Sequence, residues 1–154
     1  RLAEELTKAG RFDEAIRVCQ EARTGLFEDD PKILLSLANA QFGANLHADA
    51  IATLDYLRDK NPGFRSADGH LIYARALEGS DANERALEEY DALARYYPGA
   101  EARVRQGLLY KKLGRTDRAV EILAGVLKDA RLAPKHFRRS QREWIELAER
   151  EMPQ

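Results

Sequence analysis

The sequence predicts an all-α solenoid of about four stacked helical hairpins, followed by a C-terminal capping helix. Three observations lead to this prediction: a helix-favouring composition, an internal repeat, and apolar residues at helical spacing. Alanine, leucine, glutamate and arginine dominate the 154 residues, whereas valine, isoleucine and threonine are few. The first group loses little conformational freedom in a helix, and the second group favours strands.

The repeat is clearest at four alanines that lie 35, 36 and 33 residues apart, namely Ala15, Ala50, Ala86 and Ala119. A turn residue precedes each alanine; these residues are Gly10, Asn45, Asp81 and Gly114. Glycine and asparagine tolerate the left-handed backbone that ends a helix, and a small alanine lets two helices approach closely. Pro31, Pro62 and Pro98 each close a unit, because proline cannot continue the hydrogen-bond ladder of a helix.

Apolar residues recurring at intervals of three and four indicate nine helices. In order they are Arg1–Ala9, Phe12–Arg23, Asp30–Gly43, Ala48–Lys60, Ala67–Gly79, Glu84–Tyr97, Ala100–Leu113, Thr116–Ala130 and Pro134–Glu151. We expect repeats over 1–133, in units of about 1–31, 32–62, 63–98 and 99–131, and a cap over 134–154. Stacking is expected because a lone hairpin cannot bury both of its apolar faces.

The pattern resembles the tetratricopeptide repeat (TPR) over about residues 1–131. The matching residues are Gly10, Phe12, Ala15, Ala38, Ala50, Pro62, Ala74, Ala86, Tyr90, Pro98, Gly107, Tyr110, Gly114 and Ala119. His47, Asn83 and Thr116 replace the aromatic residue that follows the turn, and no unit has the family's tryptophan. The resemblance implies a right-handed superhelix whose first helices line a concave groove for a protein or peptide partner.

The expected groove lies along the first helices of successive hairpins. Its candidate residues are Asn39, Phe42, Leu71, Arg75, Glu78, Arg105, Leu108 and Lys112. The amide of Asn39 and the guanidinium groups of Arg75 and Arg105 suit a peptide carboxylate and backbone. The alternative is that both arginines pair with surface carboxylates such as Glu78 and Glu101.

The last segment breaks the repeat and carries an apolar stripe that includes Phe137, Trp144 and Met152. We interpret it as a cap with Trp144 packed on the fourth unit, because terminal repeats need a partner for their apolar face. A basic patch comprises Arg131, Lys135, Arg138, Arg139 and Arg142. It is either a solvated face balanced by nearby glutamates or a site for an acidic partner, nucleic acid or anionic lipid.

This ending also resembles that of a group of bacterial membrane-associated proteins with divergent TPRs, through Arg131, Pro134, His136, Phe137, Arg138, Arg139, Gln141, Glu143 and Trp144. Members of that group have hydrophobic segments before the repeats, and here Arg1 begins within a predicted helix. The resemblance therefore implies that the chain is a piece of a larger, membrane-anchored protein. The piece itself is expected to be cytoplasmic and to make no membrane contact, since no apolar run reaches bilayer length.

Composition and charge argue against other functional classes. A net charge of −1 does not favour a general nucleic-acid binder, which usually carries a basic excess. The histidines are scattered, and Cys19 is expected to be a buried structural thiol, so we expect no enzyme, no metal and no cofactor. The expected function is an interaction scaffold for a protein or peptide, with self-association through an open end allowed. The alternatives are an RNA-binding or anionic-surface-binding helical repeat, or a regulatory domain of a larger membrane-anchored protein.

Overall fold

The computed structural model describes all 154 residues, and its regular structure is entirely helical. The α-helices are α1 (Leu2–Lys8), α2 (Phe12–Ala22), α3 (Pro31–Gly43), α4 (His47–Lys60), α5 (Ala67–Gly79), α6 (Asn83–Ala94), α7 (Glu101–Lys112), α8 (Thr116–Leu132), α9 (Lys135–Ser140) and α10 (Arg142–Glu151). A short 3-10 turn, Gly25–Phe27, lies between α2 and α3. The all-α prediction of sequential, TPR-like hairpins is confirmed.

The chain divides into two compact units, the N-terminal unit Arg1–Ala82 and the C-terminal unit Asn83–Gln154. The boundary falls within the third hairpin expected from the sequence, 63–98. In the N-terminal unit, α1 packs against α2 and α3, and α3 packs against both α4 and α5. In the C-terminal unit, α7 packs against α6 and α8, and α10 packs against both α7 and α8.

The four turn residues have the left-handed conformation that the sequence predicts. Their φ angles are 77° at Gly10, 63° at Asn45, 60° at Asp81 and 76° at Gly114. At each turn the backbone N–H of the next residue donates to a carbonyl five residues back. These bonds are Arg11 to Leu6 at 2.8 Å, and Leu46 to Gln41, Ala82 to Leu77 and Arg115 to Tyr110 at 2.9 Å. This is the hydrogen bond of a Schellman motif, which satisfies carbonyls at the end of a helix.

The four repeat alanines have no solvent exposure. In the N-terminal unit, Ala15 lies in a cluster with Leu6 and Ala40, so α1, α2 and α3 meet at this small side chain. A second cluster contains Ala3, Cys19 and Leu37. The prediction of a small residue where helices approach closely is therefore confirmed at Ala15.

The largest difference from the expected helices is in the last segment, which forms two helices instead of one. The break is at Gln141, whose φ and ψ of −104° and 14° separate α9 from α10. The Gln141 side chain reaches the start of α7, where Oε1 accepts a hydrogen bond from the Ala100 N–H at 2.9 Å. This contact supplies an acceptor near the start of α7, whose first N–H groups have no partner within the helix.

Smaller differences are at helix ends. Helix α6 ends at Ala94 rather than Tyr97, and α8 extends to Leu132. Helix α3 begins with Pro31, and the Asp30 carboxylate accepts hydrogen bonds from the N–H groups of Lys32 and Ile33 at 2.9 and 3.1 Å. Asp30 is therefore the N-cap of α3.

Candidate functional site

In the N-terminal unit, the candidate groove residues lie on α3 and α5, two first helices that pack together. Asn39 is exposed, Phe42, Arg75 and Glu78 are half-buried, and Leu71 is only 8% exposed. The Arg75 guanidinium carbon lies 4.7 Å from the centroid of the Phe42 ring, a cation–π contact between the two helices. Leu71 belongs to the core, so it presents little of its side chain to a ligand.

Two rings in the N-terminal unit lie directly on glycines of a neighbouring first helix. The Phe12 ring occupies the space that a Cβ atom on Gly43 would need, and His47 Nε2 is 2.7 Å from the Cβ position of Gly79. The His47 ring also lies 5.5 Å from Phe42, tilted by 59°. His47 therefore packs in the place of the family's aromatic residue, and we call these two pairs the ring-on-glycine contacts.

In the C-terminal unit, the candidate groove residues lie on α7. Arg105 Nε donates to the Glu101 carboxylate at 2.8 Å, and its guanidinium carbon lies 5.0 Å from the centroid of the Trp144 ring. The first of these contacts is the carboxylate pairing expected as the alternative. Leu108 packs on the same apolar cluster as Trp144, whereas Lys112 is exposed. Arg105 and Leu108 thus both contribute to the surface against which α10 packs.

Helix α10 packs against α7 and α8 through an apolar cluster. The buried residues of this cluster are Ala100, Val104, Leu123, Val126 and, on α10 itself, Ala148. Half-buried side chains on its edge are Leu108, Leu127, Trp144, Leu147 and Met152. At the far end of the helix, Lys111 Nζ donates to the carbonyl of Glu151 at 3.0 Å. Helix α10 is therefore fixed along its length on α7 and α8.

All five residues of the basic patch are exposed, and none lies within 4.0 Å of a carboxylate oxygen. One guanidinium, that of Arg138, donates to the backbone carbonyl of Arg131 at 3.2 Å. Glu151, at the opposite end of α10 from Arg142, pairs with Lys111. The glutamates of the last helix therefore form no ion pairs with the patch.

A polar cluster that the sequence did not indicate joins the loop before α3 to α4. The Tyr56 hydroxyl donates to the Asp29 carboxylate, and Asn61 Nδ2 donates to the Asp29 carbonyl at 2.9 Å. Arg23 and Lys60 lie 5.3 and 5.6 Å from the centroid of the Tyr56 ring. Hydrogen bonding to Asp29 raises the pKa of Tyr56, because ionised Tyr56 would lose this donor and face a negative charge.

Other reactive groups are few. Cys19 is 2% exposed, as expected, and burial raises the pKa of its thiol because the thiolate is poorly solvated there. No group of three or more histidine, cysteine, aspartate or glutamate side chains is placed to hold a metal ion. No helix has both the length and the hydropathy required to cross a bilayer.

The fold and the repeated turn geometry define a helical-repeat protein. Tetratricopeptide repeat models match residues 6–67 and 101–130, which together make up more than half of the chain. The chain is a TPR protein. Proteins with this repeat generally mediate protein–protein interaction and are typically not catalytic.

Solved structures with the same fold include crystal structures of MamA. One has a TM-score of 0.67 at 21% identity, covering 97% of this chain and 94% of that chain. A second MamA structure has a TM-score of 0.67 at 25% identity, covering 96% and 77%. TTC0263, a thermophilic TPR protein in Thermus thermophilus, has a TM-score of 0.64 at 21% identity, covering 82% and 70%. No curated protein matches the sequence at a significant level.

Proposed function

We propose that this chain is an interaction scaffold that binds a segment of a partner protein on the face shared by α3 and α5. The observation that carries the proposal is the contact of the Arg75 guanidinium with the Phe42 ring, next to exposed Asn39. Asn39 and Arg75 are 36 residues apart, about one repeat, so they occupy equivalent positions on neighbouring first helices. A guanidinium held on a ring loses less conformational freedom when it binds a ligand.

The side chains of this face favour an acidic, extended partner segment. The amide of Asn39 both donates and accepts, which suits the alternating groups of a peptide backbone. The guanidinium of Arg75 suits a carboxylate, with which it forms charge-assisted hydrogen bonds. Leu71 is buried, so a large apolar side chain of the partner gains little contact there.

The test is a peptide-library selection on the immobilised protein, followed by affinity measurements on variants. Replacing Asn39 by Ala and Arg75 by Gln should weaken the selected peptides at least tenfold, because one hydrogen bond to a charged group contributes about 1.5–3 kcal/mol. The matched control replaces Gln20 by Ala and Arg17 by Gln, an exposed amide and guanidinium on α2. Far-UV circular dichroism should show unchanged helicity for both pairs.

Two outcomes would reject the groove assignment. One is that no peptide is enriched above a protein-free surface. The other is that the selected peptides bind the Asn39 and Arg75 variant as tightly as the Gln20 and Arg17 control.

A second candidate function, binding to an anionic surface, is favoured by the basic patch. Its five cations are exposed and form no ion pair, so no protein carboxylate needs to be displaced when an anionic surface binds. Co-sedimentation with vesicles containing phosphatidylserine should then decrease with added salt and with Arg138→Gln plus Arg139→Gln. Equal sedimentation with neutral and anionic vesicles would exclude this function.

A further inference from the structure

A polar cavity of about 390 Å³ that is open to solvent lies between α6, α7 and α8 of the C-terminal unit. Its polar lining consists of three guanidinium groups, two carboxylates and one amide, from Arg95, Arg103, Arg118, Asp91, Glu121 and Gln106. Arg103 and Gln106 are three residues apart and share one side of α7. At about 100° per residue, that side is roughly opposite the one that carries Arg105 and Leu108. The cavity is therefore separate from the candidate groove residues on the same helix.

The amide of Gln106 is the most informative feature of the cavity. Gln106 is 3% exposed, and its Nε2 is buried without a hydrogen-bond acceptor. Buried donors in native proteins are almost always paired, because an unpaired donor loses its water without compensation. The Gln106 amide is therefore a donor that an acceptor bound in the cavity could satisfy.

The guanidinium groups retain hydrogen-bonding capacity for such an acceptor. Each guanidinium forms one ion pair. The pairs are Arg95 with Asp91 at 3.3 Å, Arg103 with Asp129 at 2.7 Å, and Arg118 with Glu121 at 3.0 Å. A guanidinium has five N–H donors, so a single ion pair leaves several available. Arg118 also lies 5.2 Å from the centroid of the Tyr110 ring, which restrains its position. With Asp129 counted, three arginines face three carboxylates, so the capacity for an acceptor lies in the unused N–H donors and not in an excess of charge.

We propose that this cavity binds an oxyanion, a phosphate or carboxylate group, with Gln106 Nε2 and the guanidinium groups of Arg103 and Arg118 as donors. The lining supplies mainly donors, and its carboxylates already accept from arginines, so an additional acceptor fits better than a cation. Phosphate and carboxylate share the oxygen geometry that guanidinium recognises. This site is additional to the proposed binding of a partner segment on α3 and α5.

The experiment is a titration of the isotope-labelled chain with inorganic phosphate and, separately, succinate, against sodium chloride at equal ionic strength. Saturable shifts of the Gln106 side-chain amide resonances are expected. Arg118→Gln should weaken binding about tenfold, as expected for loss of a charge-assisted hydrogen bond. Lys128→Gln removes the same charge from an exposed position on the same helix and should change the affinity less than about twofold.

A second variant tests the buried donor directly. Gln106→Met keeps the side-chain volume and removes the amide, so the variant should fold with undiminished stability and bind the anion several-fold more weakly. Unchanged affinity in this variant would overturn the proposal. Equal weakening by Arg118→Gln and Lys128→Gln would also overturn it, since that result indicates diffuse charge attraction.

The choice of anion identifies the ligand class. A response to phosphate alone assigns a phosphate site, a response to succinate alone assigns a carboxylate site, and a response to both supports a general oxyanion site. The proposal fails if neither anion shifts the Gln106 amide resonances beyond the chloride control.

Discussion

Replacing Trp144 by alanine measures how strongly α10 is held on the C-terminal unit. The ring is half-buried on the apolar cluster beneath α10, with Arg105 on its face. If roughly 100 Å² of apolar surface is lost, at about 25 cal/mol/Å², the cost is about 2.5 kcal/mol. The contact with Arg105 adds about 0.5–1 kcal/mol. We therefore expect the free energy of unfolding to fall by about 3 kcal/mol.

The assay is urea and thermal unfolding followed by far-UV circular dichroism. For a chain of this length, the expected loss lowers the Tm by about 6–12 °C. Trp144→Phe keeps an aromatic ring on the cluster and should lose less than about 1.5 kcal/mol. Leu132→Ala removes a large apolar side chain that is 78% exposed and should change stability by less than about 0.5 kcal/mol.

Two results would refute this reasoning. A loss below about 0.5 kcal/mol for Trp144→Ala would mean that the ring does not hold α10 in place. If Trp144→Ala lowered the free energy of unfolding no more than Leu132→Ala does, packing of the Trp144 ring on the apolar cluster would not contribute to stability.

Three further predictions concern the N-terminal unit. Gly43→Ala should destabilise the fold by about 1–3 kcal/mol in urea unfolding, because Phe12 fills the space for a Cβ. In a background that already carries Phe12→Ala, the same substitution should cost nothing. A cost that persists in that background would contradict the packing argument. Since the pKa of Tyr56 is raised by Asp29, the stabilising bond is present below about pH 10 and is lost as the pH rises through the higher folded-state pKa. Ultraviolet titration, with Tyr56→Phe as the reference that isolates this residue, should show Tyr56 ionising at lower pH in Asp29→Ala, and identical curves would disprove the link. Because Cys19 is buried, its thiol should react with a disulfide reagent only when the chain unfolds, so labelling should accelerate in parallel with urea-induced loss of helicity. Rapid labelling without urea would show that the thiol is accessible in the folded protein.

The features predicted correctly from the sequence depend on neighbouring residues in the chain. A left-handed backbone at Gly10, Asn45, Asp81 and Gly114 follows from side-chain sterics at each turn, without knowledge of the rest of the fold. The buried alanines follow from repeat spacing combined with helical periodicity. These two signals were sufficient for the fold class and most helix boundaries.

The features that the sequence did not indicate depend on residues distant along the chain. The hydrogen bond between Gln141 and Ala100 joins positions 41 residues apart, and no periodic pattern contains that information. The bond between Tyr56 and Asp29 spans 27 residues and involves a loop that departs from the repeat. Repeat position places Leu71 on a first helix but does not determine its burial, which depends on how the neighbouring helices pack.

The ring-on-glycine contacts bear on how such an array can lengthen. The second hairpin has both halves of the contact: Gly43 receives the ring of the preceding hairpin, and His47 lies on the glycine of the following first helix. A tandem copy of this hairpin would therefore find a matching surface on each side. The first and fourth hairpins have Lys8 and Lys112 where Gly43 stands, two residues before the turn. Duplication of the second hairpin in the gene would accordingly preserve both contacts. A copy of the first hairpin would place Phe12 against a lysine, and a copy of the fourth would add a junction that has neither the ring nor the glycine.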